Sequence, residues 1–558
     1  MRKLFLIGSF LLCGFGLFAQ NAFDRSMPET YVNTVLSQRQ LIEISKNFSV
    51  DKVGRNADGT FDVRLCVGQR EYDAFEALDL PFTVCPPLRA NVRMAETYDD
   101  LVQSWNRYPT YGAYTAAMDT FQTQFPNLCK TDTILAQTPG GHALLVAHIS
   151  NDLNNRGPKP SFLYTSTIHG DEPVGYYLML RLIHYLLNNY ATSTRVQNLV
   201  DNIDIWICPL ENPDGTYASG DNTLNASPIS TRYNAHGVDM NRSYPIAGQS
   251  VSGYYEPEIQ AMMDFCEAHQ FTMSANFHGG SEVVNFPWDT WNSYQRKHAD
   301  DNWWRFVGRS FADTCQSINP YYMRDEENGI TEGGDWYVIT GSRQDYLNYF
   351  QHCREMTVEL STNKVVNYNQ LSNYWAETYR SFMNYMAESL NGISGVVTDS
   401  ITGLPIQAQV YVENHDRYNS EVYTRLPEGD YHRPIKAGTY QVSYYAPGYR
   451  SKTFTLSPTD RQVLVHDVQL VPNDWAVRDF GDAALVVCPN PTEGRVSIKN
   501  ELMKINAVRV YDVCGKLLNT IPVGDLEVSI DLSGYVPGIY MLRVETENGV
   551  VVKRVMKN

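Results

Sequence analysis

Residues 160–177 read PSFLYTSTIHGDEPVGYY, which predicts a buried strand, a short polar loop and an apolar helix. Residues 162–168 are apolar or β-branched and predict the strand, and residues 174–190 have the pattern of a long helix. His169 and Glu172 lie on the loop at the strand's carboxyl end, where α/β sheets hold their ligands. An imidazole nitrogen and a carboxylate at this spacing can both reach one Zn²⁺. The stretch therefore predicts an α/β fold with a metal site at a strand end.

The same His-x-x-Glu pattern occurs a second time, at His352 and Glu355, so the pattern alone is a weak signal. We expect this second copy to lie inside a strand. Residues three apart in a strand point to opposite faces and cannot share a metal ion. The first copy therefore needs further ligands from other parts of the chain.

Strands and helices alternate across residues 97–390 and predict one large α/β domain with a mostly buried sheet. The expected strands are 143–150, 203–209, 273–277 and 355–360, and the expected helices are 111–125, 256–269 and 371–390. His278 follows the strand at 273–277 and precedes two glycines, which suits a third zinc ligand with the fourth position left to water. The alternative is a hydrogen-bonded loop histidine.

Polar residues elsewhere in this domain suggest a hydrolytic site. Glu359 stands between Val358 and Leu360 in an apolar strand, so its carboxylate should face a cleft or a cation. Beside a metal-activated water it would act as a general base, and a structural salt bridge is the alternative. Arg232, Asn241 and Arg242 surround a glycine-containing loop and could hold a carboxylate or polarise a carbonyl. Ordinary surface arginines are the alternative there.

Length, charge and the amino terminus limit the possible classes of protein. A chain of 558 residues is expected to form three or more domains. Its net charge of −17 argues against a general nucleic-acid or anionic-membrane binder. Residues 1–19 have the pattern of a secretory signal peptide, and no later apolar run is long enough for a transmembrane segment. Nine cysteines follow Cys13, so at least one is not paired within the chain.

The regions on either side of the α/β domain are smaller. Residues 20–92 predict a small α/β unit with a helix at 35–48, a turn at 56–59, a strand at 61–67, a helix at 72–78 and a strand at 82–85. This unit either supports the next domain or serves as a pro-region. Short alternating strands predict a β-sandwich at 391–473, followed by a polar linker at 474–485 and an all-β unit at 486–558.

Taken together, the motifs resemble the zinc metallocarboxypeptidases of the carboxypeptidase A/B family, most closely the regulatory branch that includes carboxypeptidases N, E and D. They occur in the family's order and spacing: HGDE at 169–172, ENPDG at 211–215, RYNAHGVDMNRSYP at 232–245, SANFHGGSEVVNFPWD at 274–289 and MTVELS at 356–361. The resemblance implies a mixed-sheet catalytic domain at 93–390 and a transthyretin-like β-sandwich at 391–473.

The resemblance also implies a role for each matching residue. One Zn²⁺ per chain would be bound by His169, Glu172 and His278. Glu359 would be the general acid/base. Four residues would contact the substrate: Arg232 at the scissile carbonyl, Asn241 and Arg242 at the terminal carboxylate, and Tyr337, which stands 22 residues before Glu359 and would close over the substrate.

Two further positions match the part of the family that releases C-terminal Lys or Arg. Asp289 lies eleven residues after His278, where the regulatory branch carries the acidic residue that binds a basic side chain. Gln344 directly precedes Asp345, as in that branch. A carboxylate in a closed pocket favours a substrate cation over an apolar side chain. The alternative is that Asp289 caps a turn.

Residues 486–558 are similar to the C-terminal sorting domains of type IX secretion substrates, through CPNPTEGRVSI, VYDVCGK and PGIYMLRVETENGVVVKRV. This similarity implies a type IX secretion machinery as partner and a protein that is secreted or attached to the outer cell surface. A plain adhesion-like β-domain is the alternative.

The combined prediction is a secreted zinc exopeptidase that removes one residue from the C-terminus of peptides or proteins. Asn241 and Arg242 favour this activity over a first rival, a zinc amidase or peptidase of the same fold that acts on cell-wall peptides or acylated amino acids. A second rival is a non-catalytic surface-binding relative. Such proteins usually lose a metal ligand or the glutamate base, and here all of them are present.

Overall fold

The computed structural model describes residues 23–86, 90–224, 230–473, 485–500, 504–546 and 549–558. The predicted signal peptide, and the predicted linker except Leu485, lie outside these ranges. No helix within them is long and apolar enough to cross a membrane. All nine cysteines that follow Cys13 are described, and each is a free thiol, which agrees with the expectation that at least one is unpaired.

The chain divides into two compact units. The first contains the described residues up to Thr398 together with Pro405–Tyr444 and Thr453–Val468. The second contains Asp399–Leu404, Tyr445–Lys452 and the described residues of Gln469–Asn558.

Within the first unit, residues 23–86 form a four-stranded antiparallel sheet packed on two short helices; we call this the N-terminal segment. Its elements are β1 (Glu29–Leu36), α1 (Gln38–Ile44), β2 (Ser49–Arg55), β3 (Phe61–Gly68), α2 (Tyr72–Glu76) and β4 (Thr83–Val84). The helix predicted at 35–48 is too long, and β1 was not predicted. Ser37 starts the helix later, because its side chain and that of Gln40 form a capping box that ends the strand at Leu36.

Residues 90–390 form the large α/β part of the first unit, which begins with a short parallel strand pair. Its elements up to residue 208 are β5 (Met94–Ala95), α3 (Tyr98–Val102), β6 (Tyr108–Pro109), α4 (Tyr111–Gln124), β7 (Cys129–Leu135), β8 (Leu144–Ile149), β9 (Ser161–Ser166), α5 (Val174–Asn189), α6 (Thr194–Asn202) and β10 (Asp204–Cys208). The following elements are α7 (Pro213–Thr216), α8 (Pro257–His269), β11 (Met273–His278), β12 (Glu282–Phe286), α9 (Asp301–Ile318), α10 (Asp325–Asn328), β13 (Ile330–Glu332), α11 (Gly333–Trp336), α12 (Arg343–Phe350), β14 (Arg354–Leu360) and α13 (Leu371–Glu388).

Eight of these strands form one mixed sheet in the order β13-β12-β14-β11-β9-β10-β8-β7. The central strands β14, β11, β9 and β10 run parallel, and β12, β8 and β7 each join the sheet by an antiparallel pairing. Helices α4, α5, α6, α9 and α13 contribute to one hydrophobic cluster, and α8 and α12 contribute to a second one. The predicted α/β fold with a buried mixed sheet is therefore confirmed. The outer strands β7, β12 and β13 were missed.

The pairing of the parallel strands brings three chain segments to one edge of the sheet. β9 and β11 pair from Phe162 with Met273 to Ser166 with Phe277. In the next pair, β11 and β14, His278 lies directly opposite Glu359. The loop after β9, the end of β11 and the end of β14 therefore meet, as expected where parallel strands end together.

The described residues after 390 form only strands and connecting loops, as predicted. Its strands up to residue 472 are β15 (Gly392–Asp399), β16 (Gln409–Val412), β17 (Val422–Tyr423), β18 (Asp430–Arg433), β19 (Tyr440–Tyr445), β20 (Tyr449–Arg450), β21 (Lys452–Leu456), β22 (Val463–Val465) and β23 (Val468–Pro472). The strands of the last region are β24 (Leu485–Cys488), β25 (Arg495–Asn500), β26 (Ile505–Tyr511), β27 (Leu517–Asp525), β28 (Glu527–Asp531), β29 (Gly538–Thr546) and β30 (Gly549–Lys557). These last strands form two sheets, β24-β25-β28 and β27-β26-β29-β30, around a core of alternating buried residues.

Candidate metal and active site

Three buried side chains converge at the edge where β9, β11 and β14 end: His169, Glu172 and His278. The Nδ1 atom of His169 lies 3.1 Å from Nδ1 of His278 and 3.1 Å from Oε1 of Glu172. The Nδ1 atom of His278 lies 2.9 Å from Oε2 of Glu172. One ligand atom from each residue lies within 4.8 Å of the others. Two imidazole nitrogens and one carboxylate are a donor set that suits zinc with an open fourth position, so the site fits that metal.

A carboxylate behind the three side chains orients one of them. Oδ1 of Asp239 lies 3.2 Å from Nε2 of His169, which places the imidazole proton on Nε2 and leaves Nδ1 free to bind a metal. The other carboxylate oxygen of Asp239 accepts from Nε of Arg232 at 2.9 Å and from the hydroxyl of Ser49. Burial alone would raise the pKa of Asp239, but Arg232 and His169 hold it well below its usual range. Asp239 therefore stays ionised and fixes the imidazole.

Arg232 reaches the same centre from a buried loop. Its Nη1 atom lies 3.1 Å from Nδ1 of His169 and 3.6 Å from Oε1 of Glu172. The side chain is 3% exposed. A guanidinium in this position can donate to an oxygen atom bound at the centre.

Glu359 presents an acidic group beside the three predicted ligands. It is partly exposed, and its Oε2 atom has no hydrogen-bond partner among the residues that the structure describes. Burial and the negative charge of Glu172 raise the pKa of Glu359 well above its usual value. A carboxylate with a raised pKa and a free oxygen is suited to accept and return a proton.

Asn241 and Arg242 lie on a short 3₁₀ turn directly after Asp239. The Oδ1 atom of Asn241 accepts from the backbone N–H of Arg343 at 2.9 Å, which leaves the amide NH₂ as a donor. Nη1 of Arg242 donates to the backbone carbonyl of Asn241 at 3.0 Å, and its Nε has no partner in the described ranges. The turn thus presents an amide and a guanidinium that can both donate to one anion.

Tyr337 immediately follows α11, and its ring packs partly buried against the hydrophobic cluster of the N-terminal segment. Burial and the charge of Glu359 raise its pKa to about 12, while Arg242 and Arg232 act in the opposite direction. The structure therefore places Tyr337 within electrostatic reach of the other predicted site residues.

Asp289 and Gln344 are both buried and contact each other. The Oδ1 atom of Asp289 accepts from Nε2 of Gln344 at 3.1 Å and from Nδ2 of Asn285 at 3.1 Å. The carboxylate of Asp345 accepts the backbone N–H of Asp289 at 2.9 Å. Burial raises the pKa of Asp289, whereas the charge of Arg242 lowers it. Burial and the charge of Asp289 raise the pKa of Asp345 to about 7.

The second His-x-x-Glu copy forms no metal site, but its position differs from the expectation. His352 precedes β14, has a φ angle of 53° and lies with Nδ1 2.9 Å from the backbone oxygen of Asn419. Glu355 points into the core, where it pairs with Arg343 at 3.2 Å. The two side chains are separated because only Glu355 belongs to the strand.

Sequence reasoning missed Lys364, the buried cation closest to the predicted ligands. Its Nζ atom lies 2.6 Å from Oε1 of Glu172, 3.3 Å from Oδ2 of Asp171 and 3.2 Å from Oδ1 of Asp51. Lys364 lies in a loop after β14, and no local pattern distinguishes it from a surface lysine. Only its contacts with Glu172, Asp171 and Asp51 identify it as part of the site.

Comparison with known proteins adds two family matches. Residues 114–381 match the family model described as zinc carboxypeptidase, and residues 486–558 match the secretion system C-terminal sorting domain. The chain is 32% identical to carboxypeptidase SOL1 of Arabidopsis thaliana, over 64% of this chain and 72% of that protein. It is 29% identical to carboxypeptidase D of Mus musculus, over 82% of this chain, and spans only 33% of that longer protein. Among solved structures, carboxypeptidase A from Helicoverpa armigera aligns with a TM-score of 0.49 at 16% identity, over 65% of this chain and 97% of that one.

Proposed function

Because this chain belongs to the zinc carboxypeptidase family, we propose that it is a metallocarboxypeptidase, a hydrolase that removes the C-terminal residue of peptides and proteins. One observation carries the proposal. The ends of β9, β11 and β14 bring a two-histidine, one-carboxylate centre next to Glu359, whose Oε2 atom has no partner among the described residues. Zinc would be held there by His169, Glu172 and His278, one ion per chain.

The substrate's terminal carboxylate is bound by the turn at 241–242. The amide of Asn241 and the guanidinium of Arg242 both donate to it, and a bidentate arrangement fixes its orientation. Tyr337, whose hydroxyl feels the charge of Arg242, would close over the bound residue. A free C-terminus is therefore the feature that these residues recognise, which favours a carboxypeptidase over an amidase acting on cell-wall peptides.

The chemical step uses the groups around the centre. When bound, zinc supplies a Lewis acid that polarises the scissile carbonyl and makes water more acidic. Glu359 takes a proton from the attacking water and gives it to the leaving amine, for which its raised pKa is suited. Arg232 donates to the carbonyl oxygen as negative charge develops on it.

We assign the preference for C-terminal Lys or Arg to Asp289, with Gln344 as its support. The buried Asp289 carboxylate, held by two amide donors, would pair with a substrate cation that enters the pocket. The electrostatic influence of Arg242 on Asp289 supports placing the side-chain pocket close to the carboxylate clamp.

In this proposal the two ends of the chain serve export, and the regions between them have separate roles. The residue 1–19 signal directs export, and residues 486–558 act as the type IX sorting domain, so that the protein is secreted or attached to the outer cell surface. Residues 93–390 form the catalytic domain, 391–473 a transthyretin-like β-sandwich, and 474–485 the linker. Peptide and protein C-termini are the substrates.

Hydrolysis of a dansyl-Ala-Arg substrate, with and without a chelator, tests the activity. We expect activity to disappear with the chelator and to return with zinc. Glu359→Gln should keep about one zinc per chain and lose most turnover, whereas His169→Ala and His278→Ala should lose both. Exposed Glu43→Gln on α1 is the matched control. A Glu359→Gln protein that turns over near the parent rate would remove Glu359 from the mechanism.

A further inference from the structure

The N-terminal segment sends polar side chains to the residues that surround the predicted ligands. Tyr31 on β1 donates its hydroxyl to Asp171, the neighbour of Glu172. On β2, Ser49 donates to Asp239, which orients His169. Also on β2, Asp51 forms an ion pair with Lys364 at 3.2 Å. The segment therefore contacts both sides of the centre through buried groups.

The contact between Asp51 and Lys364 affects the charge of Glu172, a predicted metal ligand. Lys364 is 3% exposed and donates to Glu172 at 2.6 Å, so it competes with a metal for that carboxylate's charge. The ammonium group of Lys364 also lies 3.3 Å from Asp171 and 3.2 Å from Asp51, so three carboxylates surround it. Removing one partner from such a buried cluster leaves charge uncompensated. Asp51 and Asp171 thus offset the positive charge of Lys364 without being predicted metal ligands themselves. The other carboxylate oxygen of Asp51 lies 3.7 Å from Arg64.

The polar contacts of the segment do not involve the turn at 241–242, although Tyr337 packs against the segment's hydrophobic cluster. In the ranges that the structure describes, no side chain of the N-terminal segment forms a hydrogen bond or ion pair with Asn241 or Arg242. Nε of Arg242 and Oε2 of Glu359 have no partner among those residues. The polar contacts of the segment are thus made with Asp171, Asp239 and Lys364 and not with the turn proposed to bind a substrate's carboxylate.

We propose that the N-terminal segment is a permanent part of the metal centre, in which Asp51 acts through Lys364, and Ser49 through Asp239, as positioning residues that strengthen zinc binding. The inference rests on the proposed function, because it concerns the zinc that the centre would hold. Of the two roles expected for residues 20–92, support for the catalytic domain or a pro-region, the proposal favours support.

The test measures zinc affinity of the full chain by competition with a chromophoric chelator. Asp51→Asn should weaken zinc binding by about 10- to 100-fold, the range typical of outer-shell changes at metal sites. With zinc at saturation, its KM should stay within about twofold of the parent, because the substrate clamp is untouched. Asp62→Asn on the neighbouring strand β3 is the matched control, since that carboxylate accepts from Asn56 and should leave zinc affinity unchanged.

A double-mutant cycle separates positioning from general destabilisation. In a Lys364→Met background, Asp51→Asn should change zinc affinity by less than about twofold, because its partner is gone. Ser49→Ala should weaken zinc binding, and Ser49→Thr, which keeps a hydroxyl, should restore it. These two variants decide the matter if Asp51→Asn does not fold.

Three results would overturn the inference: unchanged zinc affinity in both Asp51→Asn and Ser49→Ala, an equal effect of Asp51→Asn with and without Lys364, or a rise in kcat/KM without a change in zinc affinity. The last result would identify the segment as an inhibitory cover. A parent chain that binds no zinc at all would instead refute the proposed function, so the two failures are distinguishable.

Discussion

Replacing Asp289 by Asn tests the proposed specificity most directly, because it removes one charge and keeps the shape of the side chain. Asp289 is 3% exposed, and its Oδ1 atom is held by the amides of Asn285 and Gln344 at 3.1 Å. A substrate cation would therefore meet a carboxylate that is already fixed and shielded from water. Asp345, whose carboxylate accepts the backbone N–H of Asp289, has its pKa raised to about 7 by burial and by the charge of Asp289.

The expected loss in kcat/KM follows from the burial of Asp289. Loss of one member of a buried charge pair costs about 2–5 kcal/mol, or roughly 30-fold to several-thousand-fold in kcat/KM. We expect Asp289→Asn to lose this much on peptides that end in Arg or Lys. Cleavage of peptides that end in Phe or Leu should change far less, because an apolar side chain gains nothing from the carboxylate.

The assay compares kcat/KM for four peptides ending in Arg, Lys, Phe and Leu, in the parent and in Asp289→Asn. Asp313→Asn, an exposed residue on α9, is the matched control. A parent enzyme that cleaves the Phe peptide as well as the Arg peptide would refute the basic specificity and leave the zinc mechanism intact. An equal loss on all four peptides would show that Asp289 acts through the fold.

Three other predictions concern the surroundings of Asp289, the pH dependence of stability and the C-terminal tail. Gly333→Ala should reduce cleavage of the Arg peptide at least tenfold, because the added Cβ would stand 1.9 Å from Oδ1 of Asp289, whereas Gly112→Ala meets no atom within 4 Å and should cleave normally. Since the pKa of Asp345 is raised to about 7, the folded state binds that proton more tightly than the unfolded state, so its contribution to stability is lost as pH rises from about 4 to 7. Asp345→Asn should flatten the fall of Tm across this range, and an unchanged slope would contradict the assignment. A chain that ends at Pro472 should cleave peptides normally when made in another host but stay in the periplasm of its own host; its appearance in the medium would refute the sorting role.

Several features of this protein were determined by local sequence. The strand before His169 and the strand before His278 carry apolar patterns that are visible without any partner. Each pattern also placed a histidine at the carboxyl end of a strand, where α/β sheets hold their ligands. The parallel pairings that bring Glu359 to the same edge are seen in the structure. The family motifs then supplied expected roles for Arg232, Asn241 and Arg242.

Other features were decided only by the tertiary structure. The outer strand β7 was missed because its sequence, CKTDTIL, is largely polar and the strand pairs with one neighbour only. Lys364 and Ser49 were missed because their partners are distant: Glu172 is 192 residues from Lys364, and Asp239 is 190 residues from Ser49. A charged or hydroxyl side chain on a loop or strand carries no sign of its burial until the chain folds. The candidate ligands of the centre were therefore predictable from local pattern and family motifs, whereas the charges around them depended on contacts between distant segments.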